Sequence, residues 1–251
     1  MALRHFTKYM TDPKKSFEHK YHKIKEKSGR KYQFVKNRLT GAYTPKEINL
    51  SWEGKPLRYD LVNKVIKEFG NKDYLEIGCF RDDCFSRIVC QNKVGVDPMS
   101  GGTLRMTSDD FFIENKIKKQ KFDFIFIDGL HEYSQVRKDI LNALEILNDG
   151  GTIMLHDCLP LKFGHQVVPP EDVVWNGDVW KAFVEARTWD FCDAAVCLID
   201  HGVGMIKKRP NRNKLDLNAS NFKELKFSDL ADNYEKWLNP YTFDKAMDFV
   251  K

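Results

Sequence analysis

The chain has 251 residues, of which 42% are hydrophobic and 31% are charged, and its formal net charge is +5. This size and composition suit one soluble domain of generous size with additions at its ends. The sequence contains no apolar run of about 18 residues, so it predicts no membrane span, and its lysine-rich start does not resemble a secretory signal. The six cysteines form no C-x-x-C pair, and we expect reduced thiols in a cytoplasmic protein.

The charge is unevenly distributed along the chain. Residues 1–47 contain 13 Lys/Arg and 4 Asp/Glu, whereas the remaining residues contain 28 and 32. We interpret residues 1–57 as a basic, helical leader. Nucleic acid, an anionic membrane surface or an acidic glycan would each suit such a segment, and a solvated helical extension is the alternative.

The apolar spacing of residues 59–70, closed by a glycine, predicts an amphipathic helix, and from residue 73 onwards strands and helices alternate. Strands are predicted at 73–78, 93–98, 122–129 and 152–157, and helices at 83–91, 109–120 and 131–148, the last one ended by Gly150 and Gly151. A proline-rich loop at 158–178 precedes a helix at 178–189, and segments 194–200 and 202–208 predict an antiparallel hairpin. The alternation is typical of a parallel sheet with helices on both faces.

Polar side chains follow two of the predicted buried strands. Asp128 and His131 come after the strand FDFIFI, and His156 and Asp157 end the strand TIMLHD. The carboxyl ends of parallel strands border the crevice in which open α/β sheets bind ligands. We therefore expect these four side chains to converge on one rim.

The motifs of residues 58–208 resemble those of the class I S-adenosylmethionine-dependent methyltransferases. YLEIG at 74–78 is similar to the first motif of that family, and KVGVDP at 93–98 to the second, whose acid accepts hydrogen bonds from ribose hydroxyls. TSDD at 107–110 resembles the turn on the adenine side. The resemblance implies an α/β fold, with a Rossmann-like, seven-stranded, mostly parallel sheet whose last strand is antiparallel. Helical patches separated by polar spacers independently predict that 209–251 form a helical extension packed on the domain.

The resemblance also implies S-adenosyl-L-methionine as the cofactor. Its contacts would be Glu76, Gly78, Cys79, Phe80, Asp97, Ser108, Asp109 and Asp128. The chain departs from the family at Asp82, where a second glycine usually stands four residues after the first. This departure keeps a non-catalytic binding module open as an alternative.

Within the family, the local pattern resembles catechol-type and glycan-tailoring O-methyltransferases. That likeness implies Asp128 as the strand-ending acid and His131 as the general base, a role that suits the ordinary pKa of histidine, near 6.5. It also implies a divalent ion, Mg²⁺ or Mn²⁺, on Asp128, His156 and Asp157. His156 alternatively contacts the substrate.

The segment after the proline-rich loop combines aromatic, amide and acidic side chains, which suits sugar recognition. We therefore predict that His156, Trp175 and Asp178 bind the substrate, with a helix cap as the alternative role of Asp178. The predicted function is S-adenosylmethionine-dependent O-methylation of a sugar, a glycan or a small hydroxylated molecule. The alternatives are a nucleic-acid methyltransferase and a metal-dependent hydroxylase. The first is less favoured because the leader contains no recognisable RNA-binding module. The sequence leaves open whether the protein forms a homo-oligomer.

Overall fold

The computed structural model describes the backbone of residues 13–251 and the side chains of residues 25–251. Residues 1–12 of the predicted leader lie outside the described residues. The sheet has seven strands in the order β2-β1-β3-β4-β6-β5-β7. Its strands are β1 (Asp73–Ile77), β2 (Asn92–Val96), β3 (Phe122–Ile127), β4 (Leu147–Leu155), β5 (Asp193–Cys197), β6 (Val203–Lys207) and β7 (Pro240–Tyr241).

Strand β6 runs antiparallel to both of its neighbours, β4 and β5, whereas the other neighbouring pairs are parallel. The predicted fold class, a mostly parallel Rossmann-like sheet of seven strands, is confirmed. The antiparallel strand closes the predicted hairpin, and the two-residue strand β7 adds a parallel edge beyond it.

Eight α-helices lie in the part of the chain that the structure describes. They are α1 (Pro13–Leu39), α2 (Arg58–Phe69), α3 (Ser108–Lys118), α4 (Tyr133–Ile146), α5 (Phe163–Gln166), α6 (Val179–Ala186), α7 (Phe227–Leu238) and α8 (Ala246–Val250). None of the described helices is both long and apolar enough to cross a membrane.

Strand β3 is apolar on both sides because helices cover both faces of the sheet. Ile125 and Ile127 pack with α4, α6 and α7 on one face, whereas Phe124 and Phe126 pack with α2 and α8 on the other. All four side chains are buried. The central strand therefore presents a continuous apolar run, and its polar residues begin only where it ends.

Two predicted elements differ from the observed ones. Residues 83–91 contain only a single 3-10 turn, Phe85–Arg87, where a helix was predicted. Gly150 and Gly151 lie inside β4, because β4 already begins at Leu147, which pairs with Phe122 of β3. Pairing with the neighbouring strand thus prevails over the local preference of the glycines for a turn.

The last turn of α1 and the chain between α1 and α2 lie against the proline-rich loop. The backbone N–H of Ile48 donates to the carbonyl of Leu161 over 2.8 Å, and the Asn37 amide donates to Glu171 over 2.8 Å. This loop continues to the edge of the sheet where the strands β1 to β4 have their carboxyl ends. The segment after α1 therefore supports one wall of the region described next.

Candidate active site

A cavity of about 820 Å³ opens at the carboxyl ends of the central strands. Every predicted site residue except Asp178 lines it, together with Arg58, Arg81 and Gln135. This volume lies within the range of roughly 300–1,000 Å³ that is typical of small-molecule sites. The residues that the sequence assigned to cofactor and substrate thus share one space.

Glycine is required at the end of β1 because β3 ends immediately beside it. Gly78 has φ +90°, and a Cβ atom on it would lie 2.1 Å from the carbonyl oxygen of Asp128. No side chain fits in that gap, and the positive φ favours glycine in any case. The two strand ends can therefore approach closely enough to form one floor for the cavity.

Asp97, after the end of β2, is fixed by three backbone N–H groups. Phe80 donates to its Oδ2 over 2.8 Å, and Met99 and Ser100 donate to its Oδ1 over 2.7 and 2.9 Å. The carboxylate is buried yet lines the cavity. It is held in one orientation and retains capacity to accept hydrogen bonds from a ligand, since a carboxylate offers about four lone-pair sites.

Asp82 stands where the related motif has its second glycine. Its φ is +62°, and its Oδ1 accepts a hydrogen bond from the N–H of Gly102 over 2.7 Å. Asp is one of the few residues with a Cβ atom that occur in the left-handed region. The turn therefore keeps the backbone conformation of a glycine without containing one at this position.

Glu76 lines the cavity on its predicted cofactor side and is almost fully buried. Burial raises the pKa of its carboxyl from the ordinary value of 4.5 to about 7, although the Tyr74 hydroxyl donates a hydrogen bond to it. This carboxyl therefore changes charge near neutral pH.

The structure brings together the four polar residues that follow β3 and β4. Asp128 Oδ1 lies 3.2 Å from Nε2 of His131 and 3.3 Å from Nδ1 of His156. Asp157 Oδ2 lies 2.9 Å from Nδ1 of His156 and 3.5 Å from Nδ1 of His131. Two imidazoles and two carboxylates thus alternate at the rim.

This alternation of charge controls the protonation of the rim. Burial favours the neutral form of Asp128, but the neighbouring histidines outweigh it and hold the pKa of Asp128 well below its usual range. Burial likewise works against the charged histidines, but the two carboxylates raise the pKa of His131 and raise that of His156 well above 6.5. The rim consequently favours ionised carboxylates paired with imidazolium ions.

Residues 85–158, which contain β2, β3, β4 and this rim, match the family described as "Methyltransferase domain". This stretch of the chain is therefore similar to a methyltransferase domain. The match supports the predicted class I methyltransferase family and the predicted enzyme class, and the strand order agrees with the predicted fold. A comparison with curated protein sequences found no match.

Several solved structures are similar to this chain. An O-methyltransferase from Bacillus cereus in complex with SAH is 13% identical over 71% of this chain and 90% of that one, with a TM-score of 0.46. The SAH-bound methyltransferase PaMTH1 of Podospora anserina is 15% identical over 61% and 78%, with a TM-score of 0.43. MycE from the mycinamycin biosynthetic pathway, in complex with Mg and SAH, is 14% identical over 61% and 48%, with a TM-score of 0.42.

Arg58 and Asp200 belong to the candidate site but were not predicted from the sequence. Nη1 of Arg58, the first residue of α2, lies 2.9 Å from Oδ2 of Asp200, and its Nε lies 3.5 Å from Oδ2 of Asp128. Asp200 follows the carboxyl end of β5, so the rule that selected Asp128 also identifies Asp200. Nothing in the local sequence indicates Arg58, because its helix precedes the sheet.

The proline-rich loop holds His131 and Asp157 in place. The carbonyl of Trp175 lies 3.2 Å from Nδ1 of His131, and the two rings pack with their centroids 5.2 Å apart. Asn176, which was not predicted, donates to Oδ1 of Asp157 over 2.8 Å. Asp157 itself has φ +62°, a strained conformation that such contacts sustain.

Gln135 is a further cavity residue that sequence reasoning missed. Its Nε2 lies 3.1 Å from Oγ of Ser108 and 3.0 Å from Oδ1 of Asp109. Both acceptors lie at the start of α3, on the predicted adenine side. Gln135 thereby connects the first turn of α3 to α4.

Asp178 lies outside the cavity. Its Oδ1 accepts a hydrogen bond from the N–H of Tyr133 over 2.5 Å, at the first residue of α4. It faces a second cavity, of about 730 Å³, which Lys181 also lines. The capping role that the sequence offered as an alternative is therefore present, although the capped helix is α4 and not α6, which begins directly after Asp178.

Three side chains at the rim could together hold a metal ion. Ligand atoms of Asp128, His131 and Asp157 all lie within 4.8 Å of one another. The predicted set contained His156 in place of His131. Nδ1 of His156 instead lies between the two carboxylates, where its positive charge already supplies part of the compensation that a metal ion would give.

Proposed function

We propose that this chain is an S-adenosylmethionine-dependent O-methyltransferase that acts on a sugar, a glycan or a small hydroxylated molecule. One observation carries the proposal: a single cavity contains an oriented carboxylate suited to ribose, at Asp97, and a candidate general base, His131. A nucleoside and an acceptor hydroxyl could therefore be held next to each other.

The described residues fit S-adenosylmethionine along the whole cavity. Asp97 would accept hydrogen bonds from the ribose hydroxyls, and the backbone of 78–80 would border the sugar. Ser108 and Asp109 would lie on the adenine side. Glu76 and Asp128 offer negative charge to the ammonium and sulfonium groups. The bound cofactor would supply an electrophilic methyl group on a cationic sulfur.

Arg58 is the residue that we assign to the cofactor carboxylate. It lines the cavity, and its contacts with Asp128 and Asp200 use Nε and Nη1. A guanidinium offers five N–H donors in a fixed plane, so a third carboxylate can be bound by the remaining ones. The contact with Asp200 also fixes the direction of the guanidinium.

The neutral form of His131 has a defined lone pair. The Trp175 carbonyl can only accept a hydrogen bond, so Nδ1 carries the proton and Nε2 is the basic atom. Nε2 lies 3.2 Å from the Asp128 carboxylate, which stabilises the imidazolium that forms when the acceptor hydroxyl gives up its proton. Such a positioned base typically contributes about 10²–10⁴-fold to the rate, in addition to the gain from orienting two substrates.

A divalent ion is a second candidate for activating the acceptor, and the three convergent ligand atoms motivate it. Asp128, His131 and Asp157 would hold the ion, which would supply Lewis-acid polarisation of the acceptor oxygen. One nitrogen and two oxygen donors suit Mn²⁺ better than Mg²⁺, which prefers oxygen alone. Because His131 cannot be base and ligand through the same nitrogen, metal dependence discriminates between the two roles.

The acceptor would lie on the side of the rim formed by His156 and Trp175. Both line the cavity, and the ring of Trp175 already packs on His131, so an acceptor held against this ring is close to the base. Asp178 would take part only if the acceptor extends into the second cavity, as a glycan chain could.

Methyl transfer from labelled S-adenosylmethionine to a panel of sugars and phenols tests the function directly. Calorimetry with S-adenosylhomocysteine tests the cofactor site: Asp97→Ala should weaken binding by about 10- to 100-fold, the effect of losing hydrogen bonds to a charged group. Asp149→Ala, an exposed acid beyond α4, is the matched control and should bind normally. Equal binding by both variants would refute the assignment of the cavity.

A further inference from the structure

Helix α1 has an outer face on which apolar side chains are exposed. Tyr32, Val35 and Leu39 follow one another at intervals of three and four residues, so they lie on one side of the helix. They are 68%, 45% and 82% exposed. We call these three residues the outer stripe.

The opposite side of α1 is the side that contacts the protein. Gln33 is buried, and Asn37 bonds Glu171 of the proline-rich loop. At 3.6 residues per turn, the centre of the outer stripe lies roughly 150° round the helix from these two residues. The stripe is therefore directed away from the body of the protein.

Basic residues flank the outer stripe on both sides. Lys31 and Lys36 are exposed and each lies roughly 70° from the centre of the stripe, one on either side. Residues 25–39 contain six Lys/Arg and one Asp/Glu, and residues 1–47 contain 13 and 4. Lysines in this position can extend their charged ends while their aliphatic stems lie along apolar surface.

We propose that α1 binds an anionic lipid surface, with the outer stripe inserted at the level of the headgroups and the flanking lysines on the phosphates. An apolar stripe bordered by Lys and Arg is the pattern of helices that lie in the plane of a membrane interface. Clustered basic residues add attraction to anionic lipids. The methyltransferase would then act at a membrane surface, a property separate from its chemistry.

The charge pattern favours this partner over two others. A second copy of the helix packed on the outer stripe would bring Lys31 and Lys36 of both copies close together, and like charges at such flanking positions are unfavourable. Nucleic acid would engage the lysines through phosphates, but the binding would not depend on Leu39 or Val35. Dependence on both the apolar and the basic residues is thus specific to the lipid surface.

Sedimentation of the full chain with vesicles tests the proposal. We expect binding to phosphatidylcholine vesicles that contain phosphatidylserine, little binding to phosphatidylcholine alone, and weakening by salt. Leu39→Glu should lower the affinity by about tenfold or more, because it removes an inserted aliphatic side chain. The double variant Lys31→Glu/Lys36→Glu should also lose binding to the anionic vesicles.

Ile117→Glu is the matched control, since Ile117 is 85% exposed on α3, outside the outer stripe. It should bind vesicles like the unaltered chain, and circular dichroism should show all variants folded. Absence of binding to anionic vesicles, or unchanged binding by Leu39→Glu, would overturn the proposal. If no vesicle binding is seen, two other results would point to the other partners. A dimer in sedimentation velocity that Leu39→Glu dissociates would indicate a second copy of the helix. RNA retention that Leu39→Glu leaves intact would indicate nucleic acid.

Discussion

Nδ1 of His156 lies 2.9 Å from Oδ2 of Asp157, its neighbour in sequence. Oδ1 of Asp128 lies 3.3 Å from the same nitrogen, and together the two carboxylates hold the pKa of His156 well above its ordinary value, although burial opposes this. A buried imidazolium of this kind cannot readily accept a proton from a substrate. His131, whose pKa is raised less, is therefore the better candidate for the base.

Replacing His131 by Gln should lower turnover by about 10²- to 10⁴-fold, the usual contribution of a positioned base. Burial opposes a charged His131, but Asp128 and Asp157 raise its pKa, so the neutral, basic form predominates only at a pH above its ordinary value of 6.5. The rate of the unaltered enzyme should accordingly rise with pH through a value above 6.5 and then level off. Steady-state kinetics across pH would check this.

Binding of S-adenosylhomocysteine is the control for the His131 variant, and it should change little because His131 does not lie on the ribose side. A variant that retains full turnover, or that keeps the same rising pH limb, would remove His131 as the base.

Glu76 should make cofactor affinity depend on pH. Burial raises its pKa to about 7, so the carboxyl is largely neutral below that value and charged above it. A cationic ligand favours the charged form, so the affinity for S-adenosylmethionine should increase from about pH 6 to about pH 8, with release of a proton. Calorimetry in buffers of different ionisation enthalpy measures both effects, and Glu76→Gln should abolish them.

Arg58→Met should separate the amino-acid end of the cofactor from its nucleoside end. We expect S-adenosylhomocysteine to bind about 10- to 100-fold more weakly, whereas methylthioadenosine, which has no carboxylate, should bind as before. Arg87→Met, at an exposed arginine outside the cavity, is the matched control. Equal losses for both ligands would mean that Arg58 acts through the fold and not through the carboxylate.

Asp82 should be replaceable by glycine more easily than by alanine. Both changes remove the hydrogen bond to the N–H of Gly102, but alanine also keeps the unfavourable left-handed conformation, which costs about 1–2 kcal/mol for a residue with a Cβ atom. The free energy of unfolding in urea should therefore decrease in the order unaltered chain, Asp82→Gly, Asp82→Ala. The reverse order of the two variants would contradict the conformational argument.

Mn²⁺ should raise the midpoint of thermal unfolding if Asp128, His131 and Asp157 hold a metal ion, because a ligand that binds only the folded state stabilises it. Asp157→Asn should reduce the shift by removing one charged donor, and Mg²⁺ should give a smaller shift than Mn²⁺. Chelation by EDTA should then lower turnover. If Mn²⁺ does not shift the midpoint and the protein is fully active in EDTA, the metal ion is excluded as the group that activates the acceptor hydroxyl. His131 would then be the remaining candidate.

Local sequence patterns determined the sheet and the wall of the cavity that is proposed to bind the cofactor. Buried strands, amphipathic helices and the glycine at position 78 have signals within a few residues, because side-chain periodicity and backbone conformation are local properties. The chain order of strands then placed Asp97, Asp128 and Asp157 at one edge, since parallel strands share the direction of their carboxyl ends.

Tertiary structure decided which side chains join that edge and what charge they carry. Arg58, Asn176 and Asp200 reach the rim from a preceding helix, a loop and a hairpin, and Asp178 is turned to a second cavity by its bond to α4. The pKa of Glu76 depends on the layers that bury it. These properties arise from contacts between residues far apart in the chain, and the energy of such contacts depends on distance and burial that only the packed fold defines.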